Sequence, residues 1–265
     1  NCFFDYRIII MEERIRQYIK EIEKAQDIKV LLACETGSRA WGFPSPDSDY
    51  DVRLIYRHRM DWYLSLLEPK DTFEVMLEDN NFDISGWDIR KTLGLLWKSN
   101  PPLLERIQSP IVYVADEEFL IGMNSIAPRC YSRVATIHHY LSMAKKCFEE
   151  INGKESYKLK KFFYALRAAV ACRWILETDR IPPIRFSEML EGIHVSGDLY
   201  ERIGELIKLK SRENESYFHK GETALIAFID ESIALGEERG KCLPAASGDI
   251  FELDTFFRNV VKKEL

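Results

Sequence analysis

Apolar residues change their spacing along this chain of 265 residues. The first part mixes strand-like runs with helical ones, and the rest keeps the helical spacing. Over 11–26 (MEERIRQYIKEIEKAQ), Ile15, Tyr18, Ile19 and Ile22 recur at helical spacing among charges, which predicts an amphipathic helix. Lys29-Val30-Leu31-Leu32-Ala33-Cys34 is a short apolar run that reads as a buried strand. Residues 50–56 alternate and read as a second strand, and 82–87 read as a third. Between them, 58–79 has a weak pattern with a helix expected over 62–67. A helix over 88–98 is stopped by Asn100-Pro101-Pro102. Another is expected from Leu103, ahead of the apolar run 111–114. Beyond Ala127 strand signals fade. Residues 130–151, 155–178, 198–212, 216–237 and 249–262 carry helical periodicity, interrupted by Pro182-Pro183. The pattern predicts an α+β chain, with strands and helices near 11–115 and an all-helical part near 128–265.

Composition narrows the class. Hydrophobic residues make up 46% and charged residues 30%, the balance of a soluble globular protein. No apolar run approaches the roughly 20 residues needed to span a bilayer, so no membrane role is expected. Ile8-Ile9-Ile10 is too short for a secretory signal. Met11 opens the helical pattern and is expected as the natural beginning, so residues 1–10 carry no functional reading. The six cysteines are scattered, with no Cys-x-x-Cys pair and no histidine at zinc-ligand spacing. That usage predicts reduced thiols in a cytoplasm. The net charge of -6 argues against a broad non-specific nucleic-acid surface, which needs many cations, but leaves room for a local basic cleft.

The chemistry concentrates in Thr36-Gly37-Ser38-Arg39-Ala40-Trp41-Gly42 and the following Ser48-Asp49-Tyr50-Asp51-Val52-Arg53. A Gly-Ser turn after a buried strand can lay backbone N–H groups against phosphate. Asp49 and Asp51, two residues apart on a strand, face the same side. Their mutual repulsion calls for a cation, and magnesium suits the pair, with manganese as the alternative. Asp83, in the next strand, is the candidate third acid and would let a second metal bind. An isolated Asp-x-Asp is more often ordinary turn chemistry, and the Gly-Ser turn upstream tips the balance. Calcium in an EF-hand loop fails, because Val52 stands where glycine is needed and His58 where the bidentate glutamate belongs.

Other cations and aromatics divide by position. Arg53 shares the strand face of Asp49 and Asp51 and is expected in an ion pair. Arg39, just after the Gly-Ser turn, is the better phosphate ligand. Lys160, Tyr164 and Arg167 fall at i, i+4 and i+7, one helical face able to clamp a triphosphate tail and stack a base. The plain alternative is a solvated basic helix with a buried aromatic edge. Lys161 lies off that face. His138 and His139 are adjacent and point apart, so they read as core or surface residues. Trp41 and Trp87 read as core.

These residues resemble the DNA polymerase beta nucleotidyltransferase superfamily. Within it the chain is similar to a bacterial and phage branch of predicted nucleotidyltransferases, some associated with RNA repair. The matching segments are 37–42, 48–53, 83–91, Asn100-Pro101 with Leu104-Glu105, and 160–167. Ser85-Gly86-Trp87 departs from the apolar strand usual in that branch. The resemblance implies a small mixed β-sheet nucleotidyltransferase domain followed by a helical domain. It also implies transfer of a nucleotidyl group from a nucleoside triphosphate, such as ATP, with magnesium. Gly37 and Ser38 would bind phosphates, Asp49 and Asp51 the metal pair, and Asp83 would serve as third acid. The acceptor is left open between an RNA end, a protein hydroxyl and a small molecule. The alternative is an inactive nucleotide-binding module of regulatory or antitoxin-like type, which Asp83 far from Asp49 and Asp51 would favour.

Overall fold

The fold is known from a computed structural model that describes residues 2–67, 69–77 and 82–263, with side chains from Ile10 onward. Helix α1 (Cys2–Gln26) leads into strand β1 (Lys29–Glu35), whose apolar run is buried after its first residue. The short helix α2 (Gly37–Trp41) follows, then β2 (Tyr50–Arg57), α3 (Met60–Tyr63), β3 (Thr72–Leu77) and β4 (Phe82–Asp88). Helices α4 (Ile89–Trp97) and α5 (Pro101–Arg106) precede β5 (Val112–Ala115) and α6 (Glu117–Cys130). Side-chain caps start several of these helices. Asp88, Asn100 and Asp116 each accept from a first-turn amide, and Pro101 occupies the start of α5.

The five strands form one sheet in the order β3-β4-β2-β1-β5. Only β2 and β4 run parallel; the other pairings are antiparallel, so the sheet is mixed. Helix α1 covers one face, packing Ile15 and Ile19 against Val30, Val52, Leu54 and Ile84. Helices α4, α5 and α6 cover the other, where Ile89, Leu93 and Phe119 meet Leu32, Cys34 and Ile55. Strand alternation then assigns Asp51, Arg53, Asp83 and Trp87 to this second face.

The remaining elements are α7 (Arg133–Glu149), β6 (Tyr157–Lys158), α8 (Leu159–Glu177), α9 (Phe186–Glu191), α10 (Gly197–Lys210), β7 (Phe218–His219), α11 (Thr223–Arg239) and α12 (Ile250–Val261). Helices α7 to α11 build a second core around the nearly encircled α8. Phe43, just past α2, is inserted into it against Phe163 and Phe186. Helix α12 instead returns to the sheet, where Leu253, Val260 and Val261 join the core under α4 and α6.

Several expected boundaries move. The helix expected over 62–67 is one turn at 60–63, and Leu64, Leu66 and Leu67 are exposed. The N-terminal helix begins before residue 11. The helix expected over 216–237 starts at 223, because 218–219 pair instead with 157–158. Strand β3 and helices α6 and α9 carried no clear sequence signal. Gly86 explains the departure noted after Asp83: a Cβ there would lie 2.4 Å from the Phe73 ring of β3.

Candidate functional site

The site begins where β1 ends. Thr36 donates to the Asp51 carbonyl from its backbone N–H (2.9 Å) and from its hydroxyl (3.1 Å). Its side chain therefore makes no cap on α2. Gly37 has φ +64°, and a Cβ on it would lie 2.1 Å from Asp51 Oδ2. The turn thus presses its backbone against a carboxylate, which only glycine permits.

Asp51 and Asp83 are direct partners in the parallel β2–β4 register. Arg53 joins them, with Nη2 at 2.8 Å from Asp51 Oδ1 and 2.6 Å from Asp83 Oδ2. Its Nη1 donates to the Asp83 backbone carbonyl at 2.8 Å. Asp83 Oδ1 is buried without a hydrogen-bond partner. Asp49 is not within the strand, as the sequence suggested; β2 starts at Tyr50 and Asp49 is exposed just ahead of it. Burial pushes the Asp51 carboxyl above its ordinary pKa. Asp49 and Asp83 add to the push, and Arg53 and Lys160 oppose it.

Beneath this group sits Glu35, which sequence reasoning missed. One carboxylate oxygen accepts the Asp51 N–H (2.8 Å) and the other the Tyr113 hydroxyl (2.5 Å). Burial lifts its pKa to about 7 against both of these bonds.

The expected phosphate ligands have different surroundings. Ser38 is buried, and its hydroxyl donates to Ser48 Oγ at 3.1 Å. Ser48 donates to Glu215 Oε1 at 3.0 Å, and Lys160 Nζ donates to Glu215 Oε2 at 2.5 Å. Ser38 and Lys160 therefore meet through Ser48 and Glu215, with Tyr164 adjoining. Its ring lies edge-on to Trp41, with Lys160 Nζ 5.9 Å from its centroid. Burial, with the charges of Asp51 and Glu215, holds the Tyr164 phenol well above its ordinary pKa. Arg39 is turned onto its own loop. It donates to the carbonyls of Asp49 (2.9 Å) and Ser48 (2.5 Å) and lies over the Tyr50 ring at 3.9 Å. It holds the acidic segment in place through the backbone.

Arg167 does not reach this cleft, contrary to the sequence reading. It is 1% exposed and pairs with Glu105 at 3.0 Å, with its guanidinium 4.3 Å over Trp41. It shares the angular face of Lys160, but seven residues of helix carry it about 10 Å further along the axis, into the core. Glu105 also accepts from Trp41 Nε1 (3.0 Å) and the Tyr140 hydroxyl (2.8 Å). Glu105, Glu215 and Ser48 were legible only in part. Leu104-Glu105 belonged to a matching segment, whereas Glu215 lies in a stretch without motif.

Among the described residues no three His, Cys, Asp or Glu side chains are gathered to hold a metal ion. The oxygen-only donors do fit a hard divalent cation in part. Asp51 and Asp83 are in register, and the charge of Asp49 acts on Asp51. The five cysteines whose side chains are described are free thiols. No helix among the described residues is long and apolar enough to cross a membrane.

A family profile described as RNA repair pathway DNA polymerase beta family matches residues 11–259. The chain is 36% identical over 254 residues to an uncharacterized protein of Bacillus subtilis, YcgL, covering 96% of this chain and 97% of the relative. It is 25% identical over 169 residues to a TPR repeat-containing protein of Methanocaldococcus jannaschii, covering 63% of this chain and 49% of that one. Among solved structures, a nucleotidyltransferase-like protein from Exiguobacterium sibiricum aligns at 12% identity with a TM-score of 0.30, covering 96% of this chain and 80% of that one. The profile match over nearly the whole chain and the full-length relative agree with the Gly-Ser turn and the paired acids, and the chain belongs to the RNA repair pathway DNA polymerase beta family.

Proposed function

We propose that the protein is a magnesium-dependent nucleotidyltransferase. It moves a nucleoside monophosphate from a nucleoside triphosphate to an acceptor hydroxyl and releases pyrophosphate. The observation that carries this reading is the register of Asp51 and Asp83 beside Gly37. Asp49 and Asp51 would hold magnesium, or manganese in its place, whose charge offsets that developing on the phosphates. The α2 amides at Gly37 and Ser38 bind the phosphate tail, and Lys160 supplies a positive charge to it. Asp83, opposite Asp51 and with its side chain 22% exposed, takes the proton of the attacking hydroxyl. The acceptor oxygen bonds to the α-phosphorus, the bond from that phosphorus to the bridging oxygen breaks, and pyrophosphate leaves with the electron pair. The family's description makes an RNA terminus the acceptor class we propose. An inactive nucleotide-binding module is the weaker reading, because Asp83 lies directly opposite Asp51.

The test incubates the protein with each labelled triphosphate, magnesium, and RNA, protein or small-molecule acceptors, and follows pyrophosphate release and label transfer. Asp49→Asn and Asp51→Asn should each lose both signals by at least about 100-fold. Full transfer by either variant would refute the reading.

A further inference from the structure

We propose that the Arg53 guanidinium replaces one of two metal ions at this site, so that the chain works with a single divalent cation. The inference rests on the transferase reading above and deepens it. A two-metal site clamps the attacking and leaving oxygens with ions about 4 Å apart, and needs carboxylates to bracket the second ion. The pair suited to that task is Asp51 and Asp83, directly opposed in the sheet. Arg53 Nη2 already lies 2.8 Å from the one and 2.6 Å from the other. A magnesium ion needs oxygens at about 2 Å and could not share that space with the nitrogen.

Arg53 is not a loose surface side chain that happens to rest there. Its side chain is 17% exposed. Its Nη1 is fixed by the carbonyls of Asp83 (2.8 Å) and Val52 (3.2 Å). The backbone of the acid strand itself therefore aims the guanidinium between the carboxylates. Asp51 Oδ2 lies on the Gly37 side, and the charge of exposed Asp49 acts on Asp51. Asp51 with Asp49 would hold one ion, beside the Gly-Ser turn. Asp83, held by Arg53 through Oδ2, keeps Oδ1 unpartnered. With one oxygen on Arg53 and the other buried, Asp83 is not a ligand of that ion. Arg53 is thus a positioning residue: it aligns Asp83 and excludes a second ion.

The experiment counts bound manganese by electron paramagnetic resonance, using the full chain with an α,β-methylene triphosphate. One ion per chain is expected for the wild type and two for Arg53→Gln. Asp83→Asn should keep one ion, with its affinity changed by less than about twofold. Two ions in the wild type, one in folded Arg53→Gln, or loss of the ion in Asp83→Asn each overturn the proposal. Should Arg53→Gln fail to fold, the wild-type count and Asp83→Asn decide it. A wild type that transfers nucleotide while holding two ions sinks this inference alone. Manganese bound by none of the proteins removes the magnesium-dependent reading as well.

Discussion

Gly37 is confined to glycine from two sides. Its φ of +64° disfavours any side chain, and the Asp51 carboxylate fills the space a Cβ would take. Gly37→Ala should cost about 1–3 kcal/mol in urea unfolding. On the proposed function it should also weaken triphosphate binding at least about tenfold, because the displaced carboxylate is one of the proposed metal ligands. Equal binding by this variant would show that the turn and the acid act separately. Glu35 gives a second residue-level prediction. Burial raises its pKa from 4.5 to about 7, so the folded state favours the protonated form. Its contribution to stability is present below about pH 4.5 and is lost as pH rises toward about 7. Thermal unfolding across that window should show the decline, and Glu35→Gln should lessen it, the remainder coming from Asp51 and Asp88, whose carboxyls burial also raises. Gly37, Asp51 and Asp83 were readable from sequence, because turn and strand chemistry depend on near neighbours. Glu35 was not. It ends an apolar run, and its partners Asp51 and Tyr113 come from two other strands.

Among the elements, α2, α5, α7 and α8 meet at one carboxylate. Glu105 joins the Trp41 indole, the Tyr140 hydroxyl and the buried Arg167. Glu105→Ala would strand a buried guanidinium and should cost about 3–5 kcal/mol in chemical denaturation. Lys161→Ala is the contrast. Its partner Glu150 is 40% exposed and Lys161 39%, so that loss should stay under about 1 kcal/mol. Equal costs for the two would show that burial does not set the strength of these pairs. Element identity followed the sequence where periodicity was strong, as in α1, β1, β2, β4 and α4. It failed where neighbours overrule local preference. Helix α6 contains Gly122 and Pro128, yet Gly122 is the place where the Phe256 ring of α12 closes in, within 2.3 Å of where a Cβ would stand. Strand β3 presents Met76 to solvent, 47% exposed, which blurs its alternation. Pairing with β4 defines it.

At the scale of the whole molecule, the helical half holds the acidic loop from behind. The Glu215 N–H donates to Asp47 at 2.9 Å, Lys210 donates to Ser45 at 2.8 Å, and Glu215 receives Ser48 and Lys160. Glu215→Ala removes the Ser48 and Lys160 contacts and should speed amide hydrogen exchange at Ser45 and over 47–49 at least about fivefold, with the β1 amides unchanged. Unaltered exchange would mean that Arg39, the Lys210–Ser45 bond and the Glu215 N–H hold the loop without the Glu215 carboxylate. The amino-acid sequence by itself determined the α+β class and the Gly-Ser turn, and singled out the acids at 49, 51 and 83 as candidates. The class follows from the periodicity along the chain, and the turn and the Asp49-x-Asp51 pair from short motifs. Only the tertiary structure decided that Arg53 bridges Asp51 and Asp83, that Arg167 is buried, and that Glu215 ties Lys160 to Ser48. Those outcomes depend on strand register and on how far along a helix axis a residue lies relative to its neighbours. Separation along the chain does not encode either quantity.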